Sequence, residues 1–410
     1  MKEYGIEYLR SKLSSKSNRV NLRYKYYDMK QKFENINALV PPEFKCLTYS
    51  FGWCSKAVDS LADRIEFDRF ENDVLMLNDI YKLNNADILI PDAIQSALIA
   101  SCSFLYIDYD EKTGNPTIEV IDGGNATGII DPVTKMLTEG YAVLERDETG
   151  EVQREAYFTK YMTKYYEAGN KNPVDVFVHD APYALLVPVT YRPDAKRPFG
   201  HSRITRACMD ITQSASRAML RTEVGSEFYS VPQKYIVGLS QDAEFDNQKA
   251  KYSSFLKFTK DEDGDSPKLG QFNQQSMQPH IDEMRMLASA FAGETGLTLD
   301  DLGFSTGNPM SYEAIKASHW QLACTARKAQ KSFGVGLLNA GYLASCVANK
   351  TELNRDILAD IKPNWMPIFE PDASTLGAIG DAILKINQAS EGFLGADNIR
   401  RITGYESDVI

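Results

Sequence analysis

Leu297-Thr-Leu-Asp-Asp-Leu-Gly-Phe-Ser-Thr-Gly-Asn-Pro-Met-Ser-Tyr-Glu-Ala-Ile315 is a glycine-punctuated segment between two helical patterns. Before it, Ile281, Met284, Leu287, Ala288 and Phe291 recur at the three- and four-residue steps of one helix face. After it, Ile315, Leu322 and Ala326 continue a second helix. Between them stand Gly296, Gly303, Gly307 and Asn308-Pro309. Asn before Pro marks a turn, and either Asn308 or Ser311 can cap the helix that follows. The pattern predicts helix, loop, long helix. Residues 297–310 contain no Lys or Arg.

On the N-terminal side of this unit, Pro198-Phe-Gly-His-Ser-Arg-Ile204 opens another long helix. Ile204, Cys208, Ile211, Ala215 and Ala218 share one face, with Arg206, Asp210, Gln213, Arg217 and Arg221 opposite. From His201 to Tyr229 it would run about 43 Å at ~1.5 Å per residue. Residues 230–278 read as a small α/β insertion between helices. Val231–Gly238 and Leu269–Phe272 are strand-like, Gln241–Phe255 is helical, and Lys260-Asp-Glu-Asp-Gly-Asp-Ser-Pro is an acidic turn without the spacing of a calcium loop. On the C-terminal side the helix from Ser311 can reach Asn349, although Gly334, Gly336 and Gly341 should bend or break it. An extended segment at 361–370, an amphipathic helix at Ser374–Ser390 and a short helix at Asn398–Thr403 complete that side.

The N-terminal half begins with a helical pattern over residues 1–40, closed by Pro41-Pro42. Its basic residues alternate with Tyr24, Tyr26 and Tyr27, which suits either nucleic-acid contact or a solvated face packing its tyrosines on the body. Residues 51–65 form a helix leading into a strand at Glu66–Phe70, and Asp73–Asn84 a further helix. Another starts at Pro91-Asp92 and feeds the alternating run Ser103–Asp110. Strand-like runs follow at Thr117–Ile121, Tyr141–Arg146, Glu155–Thr159, Lys164–Glu167 and Leu185–Tyr191. Asp122-Gly-Gly-Asn, Glu148-Thr-Gly-Glu and Ala168–Pro173 separate them as hairpin or loop signals. The class is α+β, with an antiparallel β region at 104–191.

Composition limits the chemistry. A formal net charge of -11 in 410 residues argues against simple wrapping of nucleic acid by a basic surface. Six scattered cysteines without C-x-x-C, and four histidines, argue against zinc and fit reduced thiols. No apolar run is long enough to span a bilayer, and the N-terminus lacks a signal-peptide core, so a soluble protein made in a cytosol is expected. His201-Ser202 and Ser318-His319 lack a nucleophile-elbow frame. His280-Ile-Asp-Glu lacks a second histidine, and the side chains of Asp300 and Asp301 should point apart. No G-x-x-x-x-G-K-[ST] is present. No enzyme, metal or cofactor is expected.

Residues 51–390 resemble bacteriophage portal proteins of the phage SPP1 type. The resemblance rests on the order Gln271-Phe-Asn-Gln, Ile281-Asp-Glu-Met, Phe291-Ala-Gly-Glu-Thr-Gly-Leu, Leu302-Gly and Asn308-Pro-Met-Ser-Tyr-Glu-Ala-Ile315. Phe199-Gly-His-Ser-Arg-Ile204 and Ala100-Ser-Cys-Ser-Phe-Leu105 add to it, while Leu297-Thr298 depart from the Ile-Pro of many relatives.

The resemblance implies a portal fold assembled as a ring, typically of twelve subunits, at one capsid vertex of the virion. Double-stranded DNA passes through it during packaging and ejection. It implies helices and a β-rich wing at 1–200, a first stem helix at 201–229, a clip at 230–278 and a second stem helix at 279–296. A tunnel loop at 297–310, a wing helix and strand at 311–370 and a short crown at 371–410 follow. Phe304, Ser305, Thr306, Gly307 and Asn308 are then the DNA-facing candidates. Tyr235, Ile236, Val237, Phe255, Leu256 and Phe258 are the clip-interface candidates. The implied partners are the major capsid protein, terminase and a head–tail adaptor, with no membrane. An oligomeric tail or baseplate protein and a morphogenesis enzyme are the alternatives.

Overall fold

The computed structural model describes residues 4–31, 47–230, 234–237, 268–271, 276–304, 311–369 and 373–403. The chain divides into two units. One holds residues 1–31, 52–209 and 292–410, the other 32–51 and 210–291. The fold class is mixed α+β.

In the first unit, β2 (Cys102–Asp110) is the middle strand of an antiparallel sheet in the order β3-β2-β9, with β3 at Asn115–Asp122 and β9 at Leu186–Thr190. The sequence of β2 alternates, yet Cys102 to Ile107 are buried without interruption. The helices α4 (Ala86–Ala100) and α8 (Trp320–Asn349) both pack on this sheet, and a strand covered on both faces has no solvent side. A second sheet runs β4-β5-β6-β7-β8, all antiparallel, through Ala126–Ile130, Leu137–Arg146, Val152–Thr159, Met162–Glu167 and Asp175–Val178. The short strands β4 and β8 carry no strong pattern of their own, and sequence reading passes over both. A two-stranded ladder pairs β1 (Phe67–Glu71) with β12 (Lys362–Trp365).

Asp122-Gly-Gly-Asn is not a hairpin. It carries the chain from β3 in one sheet to β4 in the other. The turn needs glycine, because a Cβ on Gly123 would stand 2.4 Å from the Cys102 carbonyl oxygen.

The helix α1 (Ile6–Tyr27) lies on the five-stranded sheet. Leu9 and Leu13 pack with Tyr141, Val143, Tyr157 and Tyr166. Gly5 has no side chain to cap α1, so the Glu139 carboxylate of β5 accepts the backbone N–H groups of Tyr4 and Gly5 at 3.0 Å each. The basic face turns inward. Lys12 donates to the Gly128 carbonyl at 2.7 Å, Arg23 to that of Ala100 at 2.9 Å, and Arg10 pairs with Glu155. The Lys16 ammonium lies over Phe104 and Phe199, and burial pushes its pKa down. Tyr24 bonds Ser96, and Tyr27 donates to Asp59. These contacts favour packing on the body over nucleic-acid binding for this helix.

Three helix boundaries differ from their signals. The helix expected over Asp73–Asn84 is only α3 (Leu77–Leu83), because both Asp73 carboxylate oxygens accept the N–H groups that open it. The start expected at Pro91 lies inside α4, which begins at Ala86. Proline removes the bond to Asp87, which is exposed, so water can serve that carbonyl. The glycines of α8 do not break it. They are points of close approach: a Cβ would stand 2.7 Å from the Pro363 ring at Gly334, 3.1 Å from the Pro188 carbonyl oxygen at Gly336 and 3.1 Å from Leu77 at Gly341.

The second unit holds most of α5 (Arg206–Ser230), the ribbon β10–β11 (Lys234–Val237 and Lys268–Gln271) and most of α6 (Gln278–Thr295). Leu220 and Val224 are buried, with Leu47 and Tyr49 packed against them, and Arg221 pairs with Glu283. The helix expected between the two strands, Gln241–Phe255, lies outside the described residues.

Candidate functional site

The site begins where α6 ends. Gly296 takes φ +70°, a left-handed conformation that suits glycine, and its N–H bonds the Ala292 carbonyl at 2.8 Å. A short turn of helix at Asp300–Leu302 follows. Asp301 Oδ2 accepts the Thr298 N–H at 2.8 Å and the Thr298 hydroxyl at 2.9 Å. Asp301 is thus engaged as a local cap. Asp300 Oδ1 is buried without a hydrogen-bond partner among the described residues. The described residues contain no cluster of His, Cys, Asp and Glu able to hold a metal ion. Gly303, at φ +87°, then turns the chain, and the Phe304 N–H bonds back to Leu299 at 3.0 Å.

Of the loop candidates, Phe304 is half-buried, and Ser305, Thr306, Gly307 and Asn308 lie outside the described residues. The chain resumes at Ser311, whose hydroxyl accepts the Ala314 N–H at 3.3 Å and caps α7 (Tyr312–Ser318). Ser311 is therefore the cap of this helix. At His319 the helical run is interrupted, and α8 starts at Trp320. His319 is buried, with Nδ1 3.7 Å from Asp301 Oδ2, so residues from both sides of the loop meet at its base.

The base is tied down by residues outside the segment. The helix expected from His201 starts only at Arg206. Residues 200–205 are an anchor instead. Gly200 has φ +77°, and a Cβ there would stand 2.1 Å from the Tyr191 carbonyl oxygen. The Ser202 hydroxyl donates to the Ile99 carbonyl at 2.6 Å. Buried Arg203 donates from Nε to the Ala57 carbonyl at 3.1 Å and from its other arm to the Thr295 carbonyl. Thr295 ends α6, where a carbonyl has no partner within the helix. Sequence reading finds the Ser-Arg step but not this role, since Arg203 reaches residues 146 and 92 positions away.

Of the clip candidates, Tyr235, Ile236 and Val237 lie in β10, paired antiparallel with Gly270, Leu269 and Lys268. Val237 is 60% exposed. Phe255, Leu256 and Phe258 lie outside the described residues. His201 is held by Asp194 at 2.6 Å and Arg197 at 3.3 Å, away from any nucleophile pairing with Ser202. Cys54, Cys102, Cys208, Cys324 and Cys346 form no disulfide among the described residues, and Cys46 lies outside them. No helix among the described residues is long and apolar enough to cross a membrane.

The chain is 24% identical over 405 residues to the portal protein of Mycobacterium phage L5, covering 93% of this chain and 81% of the relative. The portal protein of Mycobacterium phage D29 is 23% identical over 403 residues, with the same coverage. Over nearly its whole length the chain is thus similar to these two phage portal proteins. No family model matches the chain. A chain from the neck of a native gene transfer agent particle, solved with C12 symmetry, is similar at a TM-score of 0.46 and 14% identity, covering 86% of this chain and 90% of that one. One from the neck of the empty particle is similar at a TM-score of 0.42 and 12% identity, covering 87% and 90%.

Proposed function

We propose that this chain is the portal subunit of a phage-like particle, a virion component at the neck between head and tail. The observation that carries the reading is its similarity along 93% of its length to two phage portal proteins. Copies assemble into a ring, typically of twelve, and double-stranded DNA passes through the centre. The finer assignment follows the SPP1-type plan. In it α5 and α6 are the stem helices, 230–278 the clip that meets terminase and then the head–tail adaptor, and 297–310 the tunnel loop. Residues 104–191 belong to the outer wing near the major capsid protein, and the two helices after residue 371 form a small crown.

The chemistry of the loop supports this use. Each Lys or Arg on a phosphate adds affinity by releasing counterions, and a conduit must let DNA slide. Residues 297–310 carry no such side chain, and their charged members are Asp300 and Asp301. Ser305, Thr306, Gly307 and Asn308 then offer weak contacts blind to sequence. Clip contacts fall to Tyr235, Ile236, Val237, Phe255, Leu256 and Phe258.

Electron microscopy of purified protein, and of the head–tail junction of particles that contain it, tests the reading. Closed rings with a central hole wide enough for a duplex are expected. Absence of the chain from the neck, or assembly into open filaments alone, would overturn it.

A further inference from the structure

A basic groove lies in the first unit between α7, α8 and the segment 362–369. Among the described residues, Arg327, Lys331 and Lys362 line it together with Lys316, and the carboxylate of Glu71 stands opposite Lys362 in the β1–β12 ladder. This concentration is unusual in a chain of net charge -11. Aromatic rings aim two of the cations. The Arg327 guanidinium lies 5.1 Å from the Trp320 ring centre, and the Lys316 ammonium 5.7 Å from that of Phe369. Gln330, only 9% exposed, lines the same groove, and its Nε2 has no hydrogen-bond partner among the described residues. An amide donor left unsatisfied beside several cations is a place for an incoming acceptor.

A complementary surface exists on the same chain. The tip between β5 and β6 reads Glu145-Arg-Asp-Glu-Thr-Gly-Glu151. Its shape is fixed from within. Asp147 accepts the N–H groups of Thr149 at 2.9 Å and Glu151 at 2.8 Å. Arg146 donates to the Gly150 carbonyl at 2.9 Å and to Asn125. Arg146 and Asp147 are thus engaged within the tip, and Glu145, Glu148 and Glu151 are left exposed. A tip already ordered loses little entropy on docking.

We infer that the groove receives the acidic β5–β6 tip of a second copy of this chain. Ring contacts are heterologous: two different patches meet, and each copy must carry both. Copies of net charge -11 repel, and a basic groove meeting an acidic tip offsets the repulsion where they touch. The occupant is a protein segment rather than a duplex. Trp365 and Phe369 belong to the lining, so the groove offers apolar as well as basic contacts, which suits a protein segment. The inference rests on the portal reading for ring assembly alone.

Charge reversal tests it. Lys331→Glu on the groove and Glu148→Lys on the tip are both exposed, so the melting temperature of the unassembled chain should not change. Each alone should weaken ring assembly by about tenfold or more in low salt, measured by light scattering across a concentration series. The double variant should recover most of the loss. Singles that assemble like the parent, or a double no better than the worse single, would refute the pairing. Lys331→Glu rings that form normally but retain less duplex would assign the groove to nucleic acid and refute it equally. A parent that never forms rings would sink the portal reading instead.

Discussion

Replacing Arg203 with Met removes one side chain that serves two distant carbonyls. Arg203 is 7% exposed, and its guanidinium donates to Ala57 in α2 (Trp53–Ala62) and to Thr295 at the end of α6. A hydrogen bond to a charged group contributes about 1.5–3 kcal/mol, so the two together amount to roughly 3–6 kcal/mol. Methionine fills much of the volume, and relief from burying a charge offsets about a third of that loss. The net expectation is a destabilisation of about 2–4 kcal/mol. For a unit of this size ~1 kcal/mol lowers Tm by roughly 2 °C, so the fall should be about 4–8 °C. Arg203→Lys should recover little, because an ammonium lacks the planar fork that spans two acceptors. Differential scanning fluorimetry with matched urea titrations measures both. A Met variant within 1 °C of the parent, or a Lys variant equal to it, would refute the idea that Arg203 ties the loop base to α2.

Gly334→Ala separates two roles for glycine: a helix breaker replaced by alanine should stabilise by about 1 kcal/mol, whereas a spacer against Pro363 should destabilise by about 1–2 kcal/mol; we expect the second, read by urea unfolding. Gly200→Ala should be worse, lowering Tm by several degrees, because left-handed backbone and a carbonyl oxygen at 2.1 Å both oppose a Cβ. His179 is buried and uncharged, its pKa pushed down to about 4 by desolvation. The unfolded chain therefore binds a proton that the folded chain does not, and stability falls as pH drops from about 6.5 toward 4, by up to roughly 3 kcal/mol. His179→Asn should flatten that part of the Tm–pH curve relative to the parent. Asn308→Arg should slow DNA translocation, more strongly at low salt, and packaging rates equal to the parent in low salt would count against a DNA-facing loop.

The class and the helices on either side of residues 305–310 were legible in the sequence, because glycine, proline and helical periodicity act over a few neighbouring residues. The sequence also located the buried face of α5, where Cys208, Ala215 and Ala218 are buried and Ile211 is half-buried, with Ile204 buried just ahead of the helix. It could not decide what the glycines of α8 do. A glycine that interrupts a helix and one that admits Pro363 look alike until the partner is in place. Nor could it separate Asp122–Asn125 as a hairpin from a step between sheets, since that depends on which strands pair. The basic N-terminal helix and Arg203 make the same point. Whether a cation meets solvent, phosphate or a carbonyl more than ninety residues away is fixed only when long-range contacts close, and those distances belong to tertiary structure.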